Sequence, residues 1–316
     1  MGTHSLPLFV YSYSSRGFSD LPERYIATRD LVPIQLVSLY DLHHHLSDLN
    51  TPNAPEVKPG VRFFDSGKYE TEEYVDIRGN NIPSGEKSWS EELYIETAKH
   101  SVSTGDVLVS YDDRSLSLID QIKQSLELFE RTGLQDIRRD LLLHPNGASP
   151  EILSDAIVDL APDIDIIGLT EKDIGFPWFF AASYIRQLRA KLDAASRRYI
   201  PIHIFGCFDP QTIPYLFFSG ADIFDGLSWM RYYFRNGHAF YDKEFEYDTP
   251  PEKLLDPREA MRSLLGHNVE ELERLCANLR YSVLTRDFSG FEECLENLEA
   301  FNVATSTQHA NTRRKR

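Results

Sequence analysis

Cysteine is scarce in this chain. The 316 residues include only three cysteines, Cys207, Cys276 and Cys294, and no two of them form a CxxC or CxC pair. Neither a disulfide framework nor a structural zinc site is therefore expected. We predict that the protein binds no metal and needs no cofactor.

Basic residues and long apolar runs are also lacking. Lysine and arginine number 33 against 49 aspartates and glutamates, which gives a formal net charge of −16. Such a protein repels nucleic-acid phosphates at long range, so any nucleic-acid site must be a local basic patch. No run approaches the roughly 18 apolar residues of a membrane span. The N-terminus shows no signal-peptide pattern, so we expect a cytoplasmic protein without membrane contact.

Short apolar runs recur along the first two-thirds of the chain. Most have four to six residues rich in Val, Ile, Leu and Phe, without clean alternation, as is typical of parallel strands buried on both faces. The runs are Leu6–Tyr11, Ile34–Leu39, Val61–Phe64, Val107–Tyr111, Leu141–His144, Ile164–Leu169, Ile202–Gly206 and Ala221–Asp225.

Segments with helical spacing lie between several of these runs. They are Ser90–Ser101, Leu116–Thr132, a helix opened by Ser149 and Pro150, Pro177–Ala195 and Pro210–Ser219. In the second of them, Leu116, Ile119, Ile122, Leu126 and Phe129 form one apolar stripe. Eight strands interleaved with helices predict an α/β fold, a (β/α)8 TIM barrel. The alternative is an open doubly wound sheet, but no Gly-rich phosphate fingerprint follows the first strand.

The pattern of the sequence changes after Asp248. Thr249-Pro250-Pro251 is a break, and Asp256-Pro257 opens a region in which Val269–Leu284 and Phe288–Phe301 have amphipathic spacing. We predict a barrel domain over residues 1–248, a C-terminal helical extension over 249–305 and a basic, disordered tail over 306–316.

Two aspartates carry most of the functional information. Asp65 and Asp225 each close an apolar run just before a Gly-containing turn. Barrel enzymes keep their chemistry at the C-terminal ends of the strands, and two carboxylates there suit a nucleophile with an acid/base partner. The plainer interpretation is that each aspartate caps the turn that follows it.

Other polar residues gather at the same ends of the predicted strands. Asp112 follows the fourth run, His144 ends the fifth, and Gly168-Leu169 and Phe205-Gly206 close the sixth and seventh. Capping by chance explains poorly a set that falls on one face, so we expect an enzyme or an enzyme-derived fold.

Four segments resemble the tRNA-guanine transglycosylase superfamily, over about residues 34–241. They are Phe64-Asp65-Ser66-Gly67-Lys68-Tyr69, Val109-Ser110-Tyr111-Asp112-Asp113, Ile167-Gly168-Leu169, and Gly220–Asp225 followed by Arg235-Asn236-Gly237-His238. The resemblance implies that a base is exchanged at a nucleoside. It implies that Asp225 is the nucleophile at C1′ and that Asp65 shuttles protons.

The resemblance also implies a base pocket. Asp112 would accept hydrogen bonds from the guanine edge, and Tyr69 and Phe205 would sandwich the base. The remaining base-binding candidates are Ser66, His144, Gly168, Leu169 and Gly206, and the candidates for contact with the nucleic-acid backbone are Arg231 and Arg235.

Departures from the family pattern bear on the substrate. Lys68 replaces a second glycine, His144-Pro145-Asn146 stands where the tRNA enzymes have a glutamine, and Cys276 and Cys294 cannot supply the zinc site of the tRNA enzymes. No RNA-binding domain is evident. The chain therefore looks closest to the zinc-lacking, DNA-guanine transglycosylase-like branch, which inserts 7-deazaguanine into DNA.

The expected partners are nucleic acid, with DNA favoured over tRNA, and a free 7-deazaguanine base, with a homodimer or other modification subunits left open. Three alternatives remain: a transglycosylase acting on tRNA, a catalytically silent nucleic-acid-binding partner subunit, and an unrelated barrel glycosidase with two carboxylates.

Overall fold

Eight parallel strands close into a barrel, which confirms the predicted fold class. The computed structural model describes residues 6–16, 18–45, 60–71, 74–75, 81–82 and 88–301. The basic tail and most of the polar segment between the third and fourth strands lie outside these residues. The barrel strands are β1 Leu8–Tyr13, β2 Ile34–Ser38, β3 Val61–Asp65, β4 Val107–Val109, β5 Arg138–Leu143, β6 Ile166–Thr170, β7 Ile202–Phe205 and β8 Ile223–Gly226.

Each strand pairs with its neighbours in chain order, and β1 pairs with β8 to close the ring. The register places Ser38 beside Asp65 and Val10 beside Asp225. The first strand begins at Leu8 and not at Leu6, while the other strand positions match the predicted runs within a few residues.

Helices surround the barrel. They are α1 Leu21–Thr28, α2 Leu39–His43, α3 Lys68–Thr71, α4 Glu91–Ser101, α5 Leu118–Thr132, α6 Pro150–Leu160, α7 Glu171–Ile174, α8 Trp178–Ala194, α9 Thr212–Phe218, α10 Glu244–Asp248 and α11 Pro257–Thr285. Two short antiparallel pairs, Tyr74–Val75 with Asn81–Ile82 and Tyr232–Arg235 with His238–Tyr241, lie outside the ring.

The sequence signals for helix ends act as predicted. The hydroxyl of Ser149 accepts a hydrogen bond from the Ile152 N–H, and Pro150 occupies the first turn of α6, where its missing N–H costs nothing. Gly220 follows α9 with φ of +111°, a conformation that glycine adopts without strain.

A single long helix, α11, packs against α1 and β1. It starts at Pro257, well before Val269, with the Asp256 carboxylate capping its first turn. The Arg280 guanidinium donates to the Pro7 carbonyl at 2.7 Å, and residues 292–301 form a further helix. None of the helices described combines the length and the apolar character needed to cross a bilayer.

Candidate active site

The inside of the barrel changes from apolar to polar along the strands. Side chains alternate between the two faces of a strand, so Ser12 shares the inner face of β1 with Leu8 and Val10. The apolar part of this interior consists of Leu8, Val10, Ile34, Leu36, Phe63, Val107, Val109, Leu142, Ile166, Phe205 and Ile223. Asp65 and Asp225 occupy inner-face positions one step further, so carboxylates collect at the C-terminal end.

Asp225 is held by groups from β1 and from β7 with the residue that follows it. Its Oδ2 accepts the Ser12 hydroxyl at 2.5 Å, and its Oδ1 accepts the Gly206 N–H at 3.1 Å. The Nε2 atom of His203 lies 3.4 Å from Oδ1, too long for a strong hydrogen bond but close enough for a charge interaction. Asp225 is only 4% exposed. Its carboxylate is thus fixed in one orientation at the top of β8.

Asp65 lies in a different electrostatic environment. Burial raises the pKa of Asp65 well above its usual range, and the nearby carboxylates of Glu70, Asp112 and Asp225 raise that pKa further. A hydrogen bond with the Ser66 backbone opposes the shift. The neutral carboxyl is therefore favoured at Asp65, as a general acid requires.

Asp112 lies within a chain of hydrogen bonds that runs from Ser66 to Asp173. Its Oδ1 accepts the Ser66 hydroxyl at 2.6 Å, and its Oδ2 lies 2.9 Å from His144 Nε2. The other ring nitrogen of His144 lies 2.5 Å from Asp173 Oδ2. Burial alone would lower the pKa of His144, but its bonds with Asp112 and Asp173 outweigh burial and raise the pKa to about 9. The imidazolium form of His144 is therefore favoured at neutral pH.

The backbone of His144 is held as well. Its N–H donates to the Gln121 side-chain oxygen at 2.8 Å, and its carbonyl accepts from the same amide at 3.0 Å. Gln121 on α5 therefore holds the backbone of His144 in place beside Asp112.

Glu70 was not predicted as a functional residue. The hydroxyls of Ser14 and Ser38 both donate to its carboxylate. Burial and the charge of Glu70 raise the pKa of nearby Asp41 to about 8, although the Ser15 N–H and hydroxyl both donate to Asp41. A second group of buried carboxylates thus lies next to Asp65. The Glu-containing turn of α3 carries no sequence signal of this role.

A buried histidine–aspartate pair below Asp225 was also missed. His203 Nδ1 lies 2.7 Å from Asp140 Oδ2, and both residues are completely buried. The Phe205 ring packs against the His203 ring at an interplanar angle of 32°, with centroids 3.9 Å apart. No local pattern marks the pair, because Asp140 is on β5 and His203 is on β7.

Gly168 provides the space that this pair occupies. A Cβ atom at Gly168 would lie 2.7 Å from the Phe205 ring, 2.8 Å from Asp140 Oδ1 and 3.1 Å from the Leu142 Cα. Gly168 is thus a packing requirement of the barrel interior as well as a candidate for base binding.

We expect Gly168→Ala to lower the free energy of unfolding by about 1–3 kcal/mol, because the added methyl overpacks a rigid interior. Thermal and urea unfolding measure the effect. Gly266→Ala is the matched control, since its Cβ would meet only a Leu31 methyl at 3.5 Å, and alanine is the better helix former. Equal stability of Gly168→Ala and the wild type would contradict the packing role.

The remaining predicted residues lie at several places around this end of the barrel. The Leu169 side chain is fully buried in the core between strands and helices, so only its backbone is available to a ligand. The Tyr69 ring lies under the Arg16 guanidinium at 4.9 Å. Arg231 lies over the Phe18 ring at 5.5 Å, and Arg235 pairs with Asp248.

Among the described residues, no group of three or more His, Cys, Asp or Glu side chains is arranged to hold a metal ion. All three cysteines are buried and free. The ionisable groups at the C-terminal end of the barrel are arranged as hydrogen-bonded pairs and chains.

Comparison with known proteins gives one informative similarity. No family model matches the chain. Over 101 residues it is 29% identical to the tRNA-guanine(15) transglycosylase of Methanopyrus kandleri, a match that covers 27% of this chain and 22% of that protein. The similarity is to a transglycosylase. It agrees, at the level of the superfamily, with the resemblance seen in the sequence motifs, and the aligned part is less than a quarter of the relative's length.

Proposed function

We propose that the protein is a guanine transglycosylase that replaces guanine in a nucleic acid, DNA rather than tRNA, with a 7-deazaguanine. The observation that carries the proposal is the contrast between two carboxyl groups at one end of the barrel. Asp225 accepts hydrogen bonds from Ser12 and Gly206, as an ionised nucleophile would, whereas burial and neighbouring carboxylates favour the protonated form of Asp65. Two carboxyl groups in different environments can divide the roles of acid and nucleophile between them.

In the first half of the reaction, an Asp225 oxygen forms a bond to C1′ of the nucleoside. The bond between C1′ and N9 of guanine breaks, and its electron pair stays with the base. Asp65 gives its proton to the departing base. The products are free guanine, an ionised Asp65 and a covalent aspartyl-glycosyl intermediate.

The second half reverses these steps with a different base. The ionised Asp65 takes the N9 proton of the incoming 7-deazaguanine, and that nitrogen attacks C1′. The ester bond breaks and its electron pair returns to Asp225. Asp65 ends the cycle protonated, so protons and charges balance and no further reactant is needed.

The Asp112 carboxylate is the proposed reader of the base edge. Each of its oxygens accepts one hydrogen bond, from Ser66 and from His144, and a carboxylate has about four acceptor positions. The free positions can accept from the N1 and amino groups of guanine. Because both ring nitrogens of His144 face carboxylates, we assign His144 the task of holding Asp112. Tyr69 and Phe205 would flank the base, with Gly168, Leu169 and Gly206 supplying backbone contacts.

The preference for DNA rests on the sequence departures at Lys68 and His144 and on the missing cysteine cluster. The contact with the phosphate backbone is assigned to Arg231 and Arg235, which follow β8 on a short 3-10 turn and the hairpin. A local basic contact of this kind is what an acidic protein needs in order to approach a nucleic acid.

The test is exchange of labelled guanine into duplex DNA, single-stranded DNA and tRNA, assayed side by side. Nucleoside mass spectrometry of DNA and tRNA from cells with and without the gene identifies the inserted base. Label in DNA and not in tRNA is the expected result. Label in tRNA alone would overturn the choice of DNA. Exchange on no substrate, with every 7-deazaguanine supplied, would favour a silent binding subunit.

Glu70 should set the alkaline limit of activity. Glu70→Gln removes a negative charge whose effect is to raise the pKa of Asp65, so Asp65 loses its proton at a lower pH. We expect the alkaline limb of the kcat/KM profile to move to lower pH. Either serine hydroxyl can rotate to accept from the new amide, so the fold should persist.

The exposed substitution Glu96→Gln on α4 is the control for this measurement. Its pH profile should match the wild type. An alkaline limb that stays in place in Glu70→Gln would show that Glu70 does not govern the proton of Asp65.

A further inference from the structure

His203 lies between two carboxylates in the barrel interior. Its Nδ1 is 2.7 Å from Asp140 Oδ2 and its Nε2 is 3.4 Å from Asp225 Oδ1. The ring is completely buried. The Phe205 ring is tilted against it, and the Phe63 ring meets it edge to face with centroids 5.6 Å apart. The reaction steps proposed above do not involve Asp140 or His203.

The geometry favours a charged ring. A neutral imidazole has one N–H and one bare nitrogen, so between two ionised carboxylates one of its nitrogens would direct a lone pair at an oxygen, whereas an imidazolium directs a proton at each. Burial raises the pKa of Asp140, and the imidazolium of His203 opposes that shift. The pKa of His203 agrees: burial lowers it, but Asp140 and Asp225 outweigh burial and raise it to about 9.

We propose that Asp140 and His203 are positioning residues that keep Asp225 ionised as the nucleophile and stabilise it as the leaving carboxylate. This inference rests on the proposed transglycosylase function. His203 supplies a positive charge beneath the reacting carboxylate, and Asp140 keeps that charge in place. Neither residue touches the base or the sugar.

Several charged groups surround Asp225, and among the described residues His203 is the positive group that lies against it. Asp140 on β5 faces the far side of the His203 ring. Asp65 on β3 interacts repulsively with Asp225, and so does the Cys207 thiol beyond β7 when it ionises. Without the imidazolium, the negative charge of Asp225 would face these acidic neighbours with no cation beside it.

The charge matters most in the second half of the reaction. When Asp225 forms the ester it loses its negative charge, and the imidazolium loses a partner. When the incoming base displaces the ester, the charge returns next to His203. The imidazolium therefore stabilises the leaving carboxylate in the transition state, and the covalent intermediate should break down more slowly without it.

Two substitutions separate charge from hydrogen bonding. In Asp140→Asn, the new amide can donate to Nδ1, which leaves a neutral ring with its proton on Nε2 toward Asp225. In His203→Gln the ring and its charge are both removed. The double variant Asp140→Asn/His203→Gln avoids leaving an unpaired carboxylate in the core and guards against loss of the fold. His267→Gln is the control, because that partly buried ring lies outside the barrel interior, where it contacts the Phe234 carbonyl, Tyr233 and Phe245.

The readouts are the acid limb of the kcat/KM profile for DNA and the lifetime of the covalent protein–DNA complex. In Asp140→Asn and in the double variant, we expect the acid limb to move to higher pH by roughly one to three units, the usual effect of losing an adjacent opposite charge. When unlabelled base is added in excess, these variants should release DNA from the covalent complex at least about tenfold more slowly than the wild type. His267→Gln should match the wild type in both.

A third readout does not depend on activity. In ¹⁵N-histidine spectra of the wild type at pH 7.5, the His203 signal, identified among the ten histidines by its absence in His203→Gln, should show both nitrogens protonated. A neutral His203 there would overturn the inference. A second result would also overturn it: the wild type exchanges bases, but the folded variants have the same acid limb and the same lifetime of the covalent complex as the wild type. An imidazolium signal without exchange by the wild type on any nucleic acid would instead refute the proposed function and leave the pair a structural one.

Discussion

We expect Asp225→Asn to eliminate base exchange while leaving the fold and base binding in place. The substitution keeps the size and shape of the side chain but removes the negative charge that attacks C1′. The asparagine oxygen can still accept from the Gly206 N–H, and its amide can donate to the Ser12 hydroxyl, which rotates to accept. We expect exchange to fall by ~10⁴-fold or more, the scale on which loss of a nucleophile lowers kcat.

Labelled guanine exchange measures the rate, and a denaturing gel of protein mixed with end-labelled DNA detects the covalent complex. The complex should form with the wild type and be absent with Asp225→Asn. Asp256→Asn is a matched control, because Asp256 only caps α11 and asparagine caps equally well. Near-full exchange by Asp225→Asn on any substrate would rule out the covalent mechanism.

Asp65→Asn should slow exchange by about 10²–10⁴-fold, the range for loss of a general acid or base. The amide resembles the neutral carboxyl that the site favours, so the fold should remain intact. The loss should depend on the leaving group. A base that departs without accepting a proton, such as 7-methylguanine in DNA, should restore the first half-reaction in Asp65→Asn and not in Asp225→Asn.

Rapid-mixing measurement of free 7-methylguanine, with formation of the covalent complex, tests this difference. Equal defects of Asp65→Asn with guanine and with 7-methylguanine would contradict proton donation by Asp65.

Stability gives an independent check on the protonation of Asp65. The folded state raises the pKa of this carboxyl, so above the unfolded pKa the folded state holds more protons than the unfolded state. The free energy of unfolding must then fall as pH rises toward the folded pKa. Asp65→Asn lacks this proton, so its stability relative to the wild type should increase from pH 5 to pH 8. Urea unfolding at both pH values measures the trend.

The fold could be predicted from the sequence because the strands of a closed parallel barrel are buried on both faces. Each strand is therefore a continuous apolar run, which can be recognised without knowing which strands lie beside it. Local chemistry also marked several helix ends, as Ser149 and Pro150 show. The same locality explains why Asp65 and Asp225 could be chosen as candidates, since each follows directly on an apolar run.

The stripe predicted for α5 shows where this reasoning was wrong. Ile122 and Phe129 are buried as expected, but Leu116 precedes the helix and Ile119 is 49% exposed. Instead of Leu116 and Ile119, the polar residues Gln121 and Ser125 are buried. Gln121 is buried because its amide holds the backbone of His144, and hydrogen bonding to a distant strand cannot be inferred from the apolar period of a helix.

The sequence by itself determined the barrel and the positions of single carboxylates at its C-terminal end. Only the tertiary structure decided their environments. Asp140 and His203 are 63 residues apart, and Glu70 is 56 residues from the Ser14 hydroxyl that holds it. Closure of the ring brings these groups together where water is excluded, and in such a place burial and neighbouring charges set which carboxyl keeps its proton. Protonation is a property of that enclosed arrangement, and so no short stretch of the chain could reveal it.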